Sequence, residues 1–533
     1  MLILQTDGGN AIPRCPDLQS VRLRYAGFVA FFAQLFSLVT GALFTLMITR
    51  RLSEAAFGSW LLINNFAWYF VFPSNIVGYW VTRYQARGIA AAKTGLVMNF
   101  AFGCLSLVPY LVASTFVSRV ADIPYQYFVT MSLFVVFFYL LVALGSVAKA
   151  TQPESLSQSS IFFELAKVGL GFLLLLVWRL ELAGAIATLV VAYPLQFLAL
   201  RALVHRRLGG RFDSQLARRI LRHLWIPLLV AVATFFIGTP DYLVVTLLTS
   251  VSTATLSQQA AVEFSKRVLA TYGVAYIVGV VVTYSSSLAI AVYPRLLGGG
   301  GSKDVEESLR MVSTFAVPMC IGVIILARPI VGLLNPVYAA SYPVVFALAI
   351  AGLLSAISAP YDWVILGTEK VELREEATFR DFVRSRLFLS PAIVFSAYVL
   401  RLLVLFVGFL CLPDIVQGDV LVAAVFWSLT YLLSWILVAV GRWRLAGKAL
   451  PTVFPRRSLL NILAACAVMS VVALLFSGMP VLVQSSAALA ALLPVILASA
   501  GTYFAVLYAL DGWFRSIVAR ALSFLTSLLH RGA

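Results

Sequence analysis

Three arginines and one aspartate stand where an apolar sequence tolerates charge least. Arg50 and Arg51 end one apolar run, Arg401 lies inside another, and Asp241 follows Pro240 within a third. A guanidinium stays charged and binds phosphate oxygens through paired hydrogen bonds, so it suits an anionic substrate. A carboxylate beside a proline break could bind a proton, a sodium ion or an arginine. We therefore expect Arg50, Arg51 and Arg401 to contact an anion, and Asp241 to serve coupling or gating.

Competing structural interpretations stay open for these residues. Arg50 and Arg51 could extend toward the interface beside Glu54, and Arg401 could pair with a neighbouring helix. Asp241 could likewise serve structural pairing.

Four further charged residues are weaker candidates for the same site: Arg83, Glu164, Lys167 and Asp362. Glu164 and Lys167 are three residues apart on one predicted helix face, which favours mutual neutralisation. Asp362 follows Pro360-Tyr361 and repeats the proline–aspartate pattern, and Arg83 lies near the end of an apolar run. For these four residues a structural role is the leading interpretation, and a functional one is the alternative.

The apolar runs that carry these residues are long enough to cross a bilayer as helices, which takes roughly 20 residues each. Hydrophobic residues make up 61% of the chain and charged residues only 11%. Strands would be half as long and would alternate in polarity. The sequence therefore predicts an all-α polytopic membrane protein with about fourteen spans, near 25–49, 58–81, 95–118, 125–148, 159–178, 182–200, 224–249, 268–294, 311–334, 341–366, 387–412, 418–440, 458–477 and 482–510.

The basic residues predict the orientation. With a cytoplasmic N-terminus, the inner segments hold 30 Lys or Arg and the outer loops hold 7, while Lys167 and Arg401 lie within spans. This bias predicts a multi-pass protein of the cell membrane with both termini in the cytoplasm. The net charge of +17 is spread over short loops, so it favours anionic membrane lipids as partners over nucleic acid.

The order of the spans predicts two lobes. We expect a cytoplasmic tail over 1–24, six helices over 25–200, a basic connector over 201–223 and six more helices over 224–440. Helices 13 and 14 would occupy 458–510, before an amphipathic cytoplasmic tail over 511–533. A weak repeat with an offset of 200 residues, which places Thr49 over Thr249, is typical of transporters built from two related halves.

Several kinds of chemistry have no motif in this chain. The five cysteines lack CxxC spacing, the three histidines lack metal-binding spacing, and no GxxxxGK[ST] phosphate loop occurs. The sequence therefore predicts no metal, no cofactor and no catalytic residues, and a protein that is not an enzyme.

The segment Ile48-Thr49-Arg50-Arg51-Leu52-Ser53-Glu54, with the Phe57-Gly58 pair after it, adds a family resemblance. It is similar to the end of the first helix in the polysaccharide-biosynthesis, or oligosaccharide-flippase, family of the multidrug/oligosaccharidyl-lipid/polysaccharide exporter superfamily. The resemblance implies that a polyprenyl-(pyro)phosphate-linked oligosaccharide is flipped by alternating access, for cell-surface polysaccharide or glycoprotein synthesis. Cations would line the cavity between the lobes. The second half departs from the pattern, because Ser250-Val251 stands where the first half has Arg50-Arg51.

Two rival functions stay open. A drug or metabolite antiporter of the same superfamily would need acidic residues in the first lobe, which offers only Glu164. A membrane-embedded glycan-assembly enzyme or subunit would need a carboxylate-rich loop, and the outer loops are short. We expect a monomer whose partners are a lipid-linked glycan, anionic lipids and the glycan-synthesis machinery.

Overall fold

In a computed structural model of the chain, every regular element among the described residues is helical. Helices satisfy their backbone hydrogen bonds internally, and this is necessary in a membrane because hydrocarbon offers no hydrogen-bond partners. The prediction of an all-α polytopic protein is confirmed. The structure describes residues 36–37, 39–86, 89–152, 154–222, 224, 241–252, 258–289, 301–368, 384–411, 419–451, 455–477, 485–519 and 523.

The first part of the chain forms the N-terminal helix set, α1 to α7, and a surface helix, α8. α1 covers 39–51, and the helices after it are α2 (Glu54–Val71), α3 (Ser74–Ala86), α4 (Ala92–Val120), α5 (Tyr125–Thr151), α6 (Glu154–Gly171), α7 (Glu181–Val204) and α8 (Ser214–Arg222). A π-helical segment, Phe172–Val177, continues α6.

The second part forms the C-terminal helix set, α9 to α15, and three final helices. Their bounds are α9 (Tyr242–Ser252), α10 (Gln258–Gly279), α11 (Ser302–Ile325), α12 (Ala327–Leu334), α13 (Tyr342–Thr368), α14 (Arg386–Cys411), α15 (Val420–Ala449), α16 (Arg456–Ser477) and α17 (Ser485–Leu510). The short helix α18 covers 512–519. A 3-10 segment, Val280–Ala289, continues α10.

Eleven described helical segments are long and apolar enough to cross a membrane, or up to twelve if α2 and α3 form one span. The axes of α2 and α3 differ by 47°, and Pro73 lies at the break between them. The predicted first and seventh spans lie partly outside the described residues. The eighth span was predicted to begin at residue 268, which is too far along the chain. Helix α10 begins at Gln258 and includes Lys266 and Arg267.

Helix α2 joins the two helix sets by packing against α10. The backbones approach closely, since a Cβ on Gly58 would lie 2.1 Å from the carbonyl oxygen of Lys266. A Cβ on Gly273 of α10 would lie 2.2 Å from Leu61 of α2. Glycine is therefore required at position 58, where the obstacle is backbone, whereas the Leu61 side chain beside Gly273 can move.

The basic connector ends in an amphipathic surface helix. Leu216, Ala217 and Ile220 of α8 are buried against the N-terminal helix set. Asp213 caps α8 by accepting hydrogen bonds from the backbone amides of Gln215 and Leu216. The predicted tail over 1–24 lies outside the described residues.

Candidate functional site

The most deeply buried charges form an ion pair in the C-terminal helix set. Arg401 on α14 places Nη2 2.6 Å from Oδ2 of Asp241, and the two side chains are 0% and 2% exposed. Asp241 directly precedes α9, so its carboxylate stands at a helix N-terminus that favours negative charge. Two residues that the sequence predicted for separate roles are therefore bonded to each other.

Aromatic rings surround this pair. The Arg401 guanidinium lies 5.0 Å from the ring centroid of Tyr398 and 5.2 Å from that of Tyr431. Trp427 stacks on Tyr272 with 3.7 Å between ring centroids. Such ring faces stabilise a desolvated cation, and the carboxylate balances its charge. The pair is a neutral unit that holds α9, α14 and α15 together.

A second buried pair lies in the N-terminal helix set. Lys167 Nζ lies 2.6 Å from Oε2 of Glu164 on the same helix, α6. The hydroxyls of Ser37 and Thr40 donate to the two oxygens of this carboxylate, at 2.8 and 2.6 Å. The Lys167 ammonium also faces the ring of Phe163, at 5.2 Å. The predicted neutralisation is present, and it ties α6 to the first helix.

Arg50 contacts the other helix set rather than solvent alone. Its Nε donates to the carbonyl of Leu334 at 2.9 Å, and its Nη2 donates to that of Leu333 at 2.7 Å. Thr49 donates to the same Leu334 carbonyl at 3.1 Å, and Asn335 Nδ2 donates to the Thr49 carbonyl at 2.6 Å. These carbonyls end α12 and carry the negative end of its dipole, which suits a cation.

Two more cations cross between the helix sets close to this contact. Arg267 Nε on α10 lies 3.1 Å from Oε2 of Glu54 on α2. Lys266 Nζ donates to the backbone carbonyl of Asp122, in the loop after α4, at 3.1 Å. We call this zone the seam and define it as Thr49, Arg50, Arg51, Glu54, Gly58, Asp122, Ser265, Lys266, Arg267, Leu333, Leu334 and Asn335.

Arg51 follows Arg50 at the seam and is exposed. The remaining two predicted residues, Arg83 and Asp362, make their contacts elsewhere. Arg83 hydrogen-bonds to the hydroxyl of Tyr79, one turn earlier on α3. Asp362 on α13 binds Arg442 of α15 at 3.0 Å and accepts a hydrogen bond from Ser390 of α14 at 2.6 Å. The predicted residues therefore fall into five separate sets of contacts rather than one.

Sequence reasoning missed the partners that decide these arrangements. Arg442 was not a candidate, although it is the counter-ion of Asp362. Nothing in the sequence pointed to Asn335 or to the carbonyls of Leu333 and Leu334 either. They lie more than 280 positions from Thr49 and Arg50 in the chain, and residue spacing cannot reveal a backbone acceptor at that separation. The cationic pair Lys266-Arg267 was visible in the sequence, and its position in a predicted outer segment was the available clue.

An apolar cavity of about 400 Å³ lies beside the last two membrane helices. Phe315 and Met319 of α11, Ile330 of α12, Met469 of α16 and Phe504 of α17 are among its lining residues. The hydroxyl of Tyr503, which also lines it, is engaged by the Thr314 carbonyl at 2.7 Å. The cavity therefore presents hydrocarbon almost everywhere.

The architecture defines the class of protein, a multi-span helical membrane protein, and its fold is similar to that of solved structures of a flippase and of MATE transporters. The structure of the lipid II flippase MurJ, in its inward closed conformation, superposes with a TM-score of 0.59 at 12% identity over 93% of this chain and 99% of that one. The structure of the eukaryotic MATE transporter AtDTX14 superposes with a TM-score of 0.51 at 14% identity, over 80% of this chain and 98% of that one. An inward-facing MATE family multidrug transporter of the MOP superfamily superposes with a TM-score of 0.52 at 10% identity, over 77% of this chain and 95% of that one.

No protein-family model and no curated protein sequence matches the chain. The resemblance that the Arg50 segment carried is confirmed at the level of the fold, since the chain shares one architecture with a flippase and with MATE transporters. At these identities the structural likeness concerns the fold alone.

Proposed function

We propose that this protein is a transporter that moves a polyprenyl-(pyro)phosphate-linked oligosaccharide from the cytoplasmic to the outer leaflet by alternating access. The single observation that carries the lipid part of this proposal is the apolar cavity beside α16 and α17. Its volume falls within the range of small-molecule sites, about 300–1,000 Å³. A site that offers almost no polar group selects a hydrocarbon chain over a water-soluble metabolite.

The charges favour an anionic substrate over a cationic drug. Within the described part of α1 to α7, Glu164 is a buried carboxylate that Lys167, Ser37 and Thr40 already engage. A cation would have to displace Lys167 at the cost of leaving a buried ammonium unpaired. Cations, by contrast, are plentiful at the seam, so a phosphate group would find partners there.

The alternating movement would separate the two helix sets as lobes. α2 and α10 approach closely at Gly58 and Gly273, and the Arg267–Glu54 salt bridge crosses the same contact. Under the orientation predicted by the basic residues, with both termini cytoplasmic, the seam lies at the outer end. The state described here would then be closed toward the outside.

A reconstitution experiment tests the proposal. Purified protein in vesicles should convert a lipid-linked oligosaccharide from a protected to an accessible form. Gly322 on α11 lines the cavity and has open space around it, so Gly322→Phe should fill the cavity and abolish conversion. Gly501 on α17 also has open space but does not line the cavity, so Gly501→Phe is the matched control and should keep wild-type conversion.

Three outcomes count against the proposal. Wild-type protein that converts no lipid-linked oligosaccharide under any ion gradient would remove the substrate class. Equal conversion by Gly322→Phe and Gly501→Phe would remove the cavity from the mechanism. Proton- or sodium-driven efflux of a cationic drug, without flipping, would favour a drug antiporter.

A further inference from the structure

The basic residues predicted to face the outside are unevenly placed. They are Arg50, Arg51, Arg119, Arg179, Lys266, Arg267 and Arg328. Four of these seven belong to the seam, where they come from two different helix sets. A chain that keeps most of its positive charge on the predicted inner side has thus gathered most of its outer charge in one place, and topology does not account for that.

The partners of these cations are mostly neutral. Arg50 and Lys266 donate to backbone carbonyls, and Arg267 shares the single carboxylate of Glu54. Among the described residues, Glu54 provides the one salt bridge recorded within the seam, although the carboxylates of Asp122 and Glu263 stand nearby in the sequence. Neutral oxygens bind a guanidinium more weakly than a phosphate does, because hydrogen bonds between ionised groups are roughly twice as strong.

Each contact also joins one helix set to the other. Arg50 reaches from α1 to α12, Arg267 from α10 to α2, and Lys266 from α10 to the loop after α4. All three would break together if the sets moved apart at this end. The cations would then line the opening with no partner from the opposite set.

The buried interior of the seam shows the same exchangeable character. Ser265 on α10 is 3% exposed, and its hydroxyl has no hydrogen-bond partner among the described residues. It lines a small pocket with Leu62 of α2 and Lys266. This hydroxyl can gain a water partner when the interface opens.

We propose that the seam is an anion site, formed by Arg50, Arg51, Lys266 and Arg267, that binds a phosphate or pyrophosphate group when the two helix sets part on the outer side. This inference rests on the proposed function, where that group belongs to the lipid-linked substrate and the seam is its exit. In the closed state the carbonyls of Leu333, Leu334 and Asp122 take the place of phosphate oxygens. Binding of the anion favours the open state, because only that state offers the cations to it.

Inorganic pyrophosphate is the probe that tests this site. A Ser265→Cys protein is reconstituted in phosphatidylcholine vesicles and exposed to a membrane-impermeant maleimide from the predicted outer side. The labelling of the protein with native Ser265 is subtracted. Pyrophosphate added outside should increase the labelling rate of the buried position about tenfold. This is the increase expected if saturating pyrophosphate binds the open state about tenfold more tightly than the closed state.

Charge-removing variants identify which cations respond. Arg50→Gln and Arg267→Gln, each in the Ser265→Cys background, should lose the acceleration by pyrophosphate. Arg119→Gln and Arg179→Gln remove the same charge from the same predicted side without removing a contact of the seam, so they should keep it. Unchanged or slower labelling with pyrophosphate would overturn the proposal, as would an acceleration that survives both seam variants or disappears in both controls.

Two further measurements are needed. One identifies whether the bound anion comes from the substrate or from a membrane lipid, and the other tests the anion site independently of the proposed function. Acceleration by phosphatidylglycerol in the vesicles, without pyrophosphate, would show that a phospholipid headgroup fills the site and would overturn its assignment to the substrate. Flipping of a lipid-linked oligosaccharide without any pyrophosphate response would overturn the seam site and leave the proposed function standing. A pyrophosphate response without flipping would overturn the proposed function instead.

Discussion

Arg401 and Arg50 are both arginines in a membrane protein, and the structure uses them in opposite ways. Arg401 is fully buried, pairs with the carboxylate of Asp241 and faces two tyrosine rings, all within the C-terminal helix set. Arg50 is half-buried and donates to two neutral carbonyls that belong to the other helix set. One cation is compensated where it stands, and the other depends on a contact between two bodies.

The difference separates stability from movement. Removing one member of a buried, compensated pair leaves a charge that hydrocarbon cannot solvate, so the whole fold is affected. A half-exposed cation held by carbonyls can exchange them for water or an anion at little cost. The partner and the exposure of a membrane arginine therefore indicate its role better than its depth in the span does.

The largest effect should come from breaking the compensated pair. Arg401→Met leaves Asp241 buried without a counter-ion and should cost about 3–5 kcal/mol of stability, which thermal unfolding in detergent would show together with a loss of folded yield. The double variant Arg401→Met/Asp241→Leu removes both charges and should recover much of that loss. Comparison with Asp241→Leu alone completes the cycle, and a double variant as unstable as the sum of the singles would contradict the coupling.

A smaller effect should come from blocking the closure of the seam. Gly58→Leu places a Cβ where only 2.1 Å separates it from a backbone oxygen of α10, so α2 and α10 must separate. Overpacking of this kind costs roughly 2–3 kcal/mol. Ser265→Cys should then be labelled rapidly without any pyrophosphate, and flipping should stop.

Gly41 provides the control for that substitution. It lies on α1 with no atom within 4 Å of its added Cβ, so Gly41→Leu should keep both slow labelling and flipping. Slow labelling in Gly58→Leu would show that the α2–α10 contact is not what closes the seam.

Much of the fold followed from the sequence, because hydrophobic length and the positions of charge act locally. The apolar runs predicted spans 3 to 6 and 10 to 14 close to the observed helices, and the fourth, predicted over 125–148, is α5 (Tyr125–Thr151). The ninth, predicted over 311–334, is divided between α11, which begins at Ser302, and α12. The bend between α2 and α3 was not predicted, although Pro73 stood inside that run. The start of α10 was misplaced because Lys266 and Arg267 were taken as a loop, whereas both side chains extend to partners on the other helix set.

The candidate site could be predicted only as a set of residue types. Glu164 and Lys167 were paired correctly, since they are neighbours on one helix and spacing alone brings them together. Asp241 and Arg401 were both selected as costly charges, but their pairing joins positions 160 residues apart and depends on how α9 packs against α14. Spacing within one helix is visible in a sequence, and packing between helices is not.

The local pair of the N-terminal helix set should be the more tolerant of the two buried pairs. Glu164→Gln keeps one oxygen that can accept from Ser37 or Thr40, and the other hydroxyl can accept from the new amide instead of donating. Lys167 keeps its contact with the ring of Phe163, so the variant should cost only about 1–2 kcal/mol. Thermal unfolding of Glu164→Gln and of Asp241→Asn under the same conditions compares the stability losses of the two pairs directly. A larger loss for Glu164→Gln than for Asp241→Asn would reverse the order of the two pairs.

The smallest effect on stability should come from the charged contact of the seam. The side chain of Arg267 is 50% exposed and that of Glu54 is 29% exposed, so water already screens their attraction. Glu54→Gln should change the unfolding temperature hardly at all, since such pairs contribute roughly 0–1 kcal/mol and lose that in salt. The same substitution should nevertheless speed labelling of Ser265→Cys, because it frees Arg267 and loosens the closed state. A contact that is negligible for folding and measurable for opening is what distinguishes the seam from the Asp241–Arg401 pair, and a large stability loss in Glu54→Gln would erase that distinction.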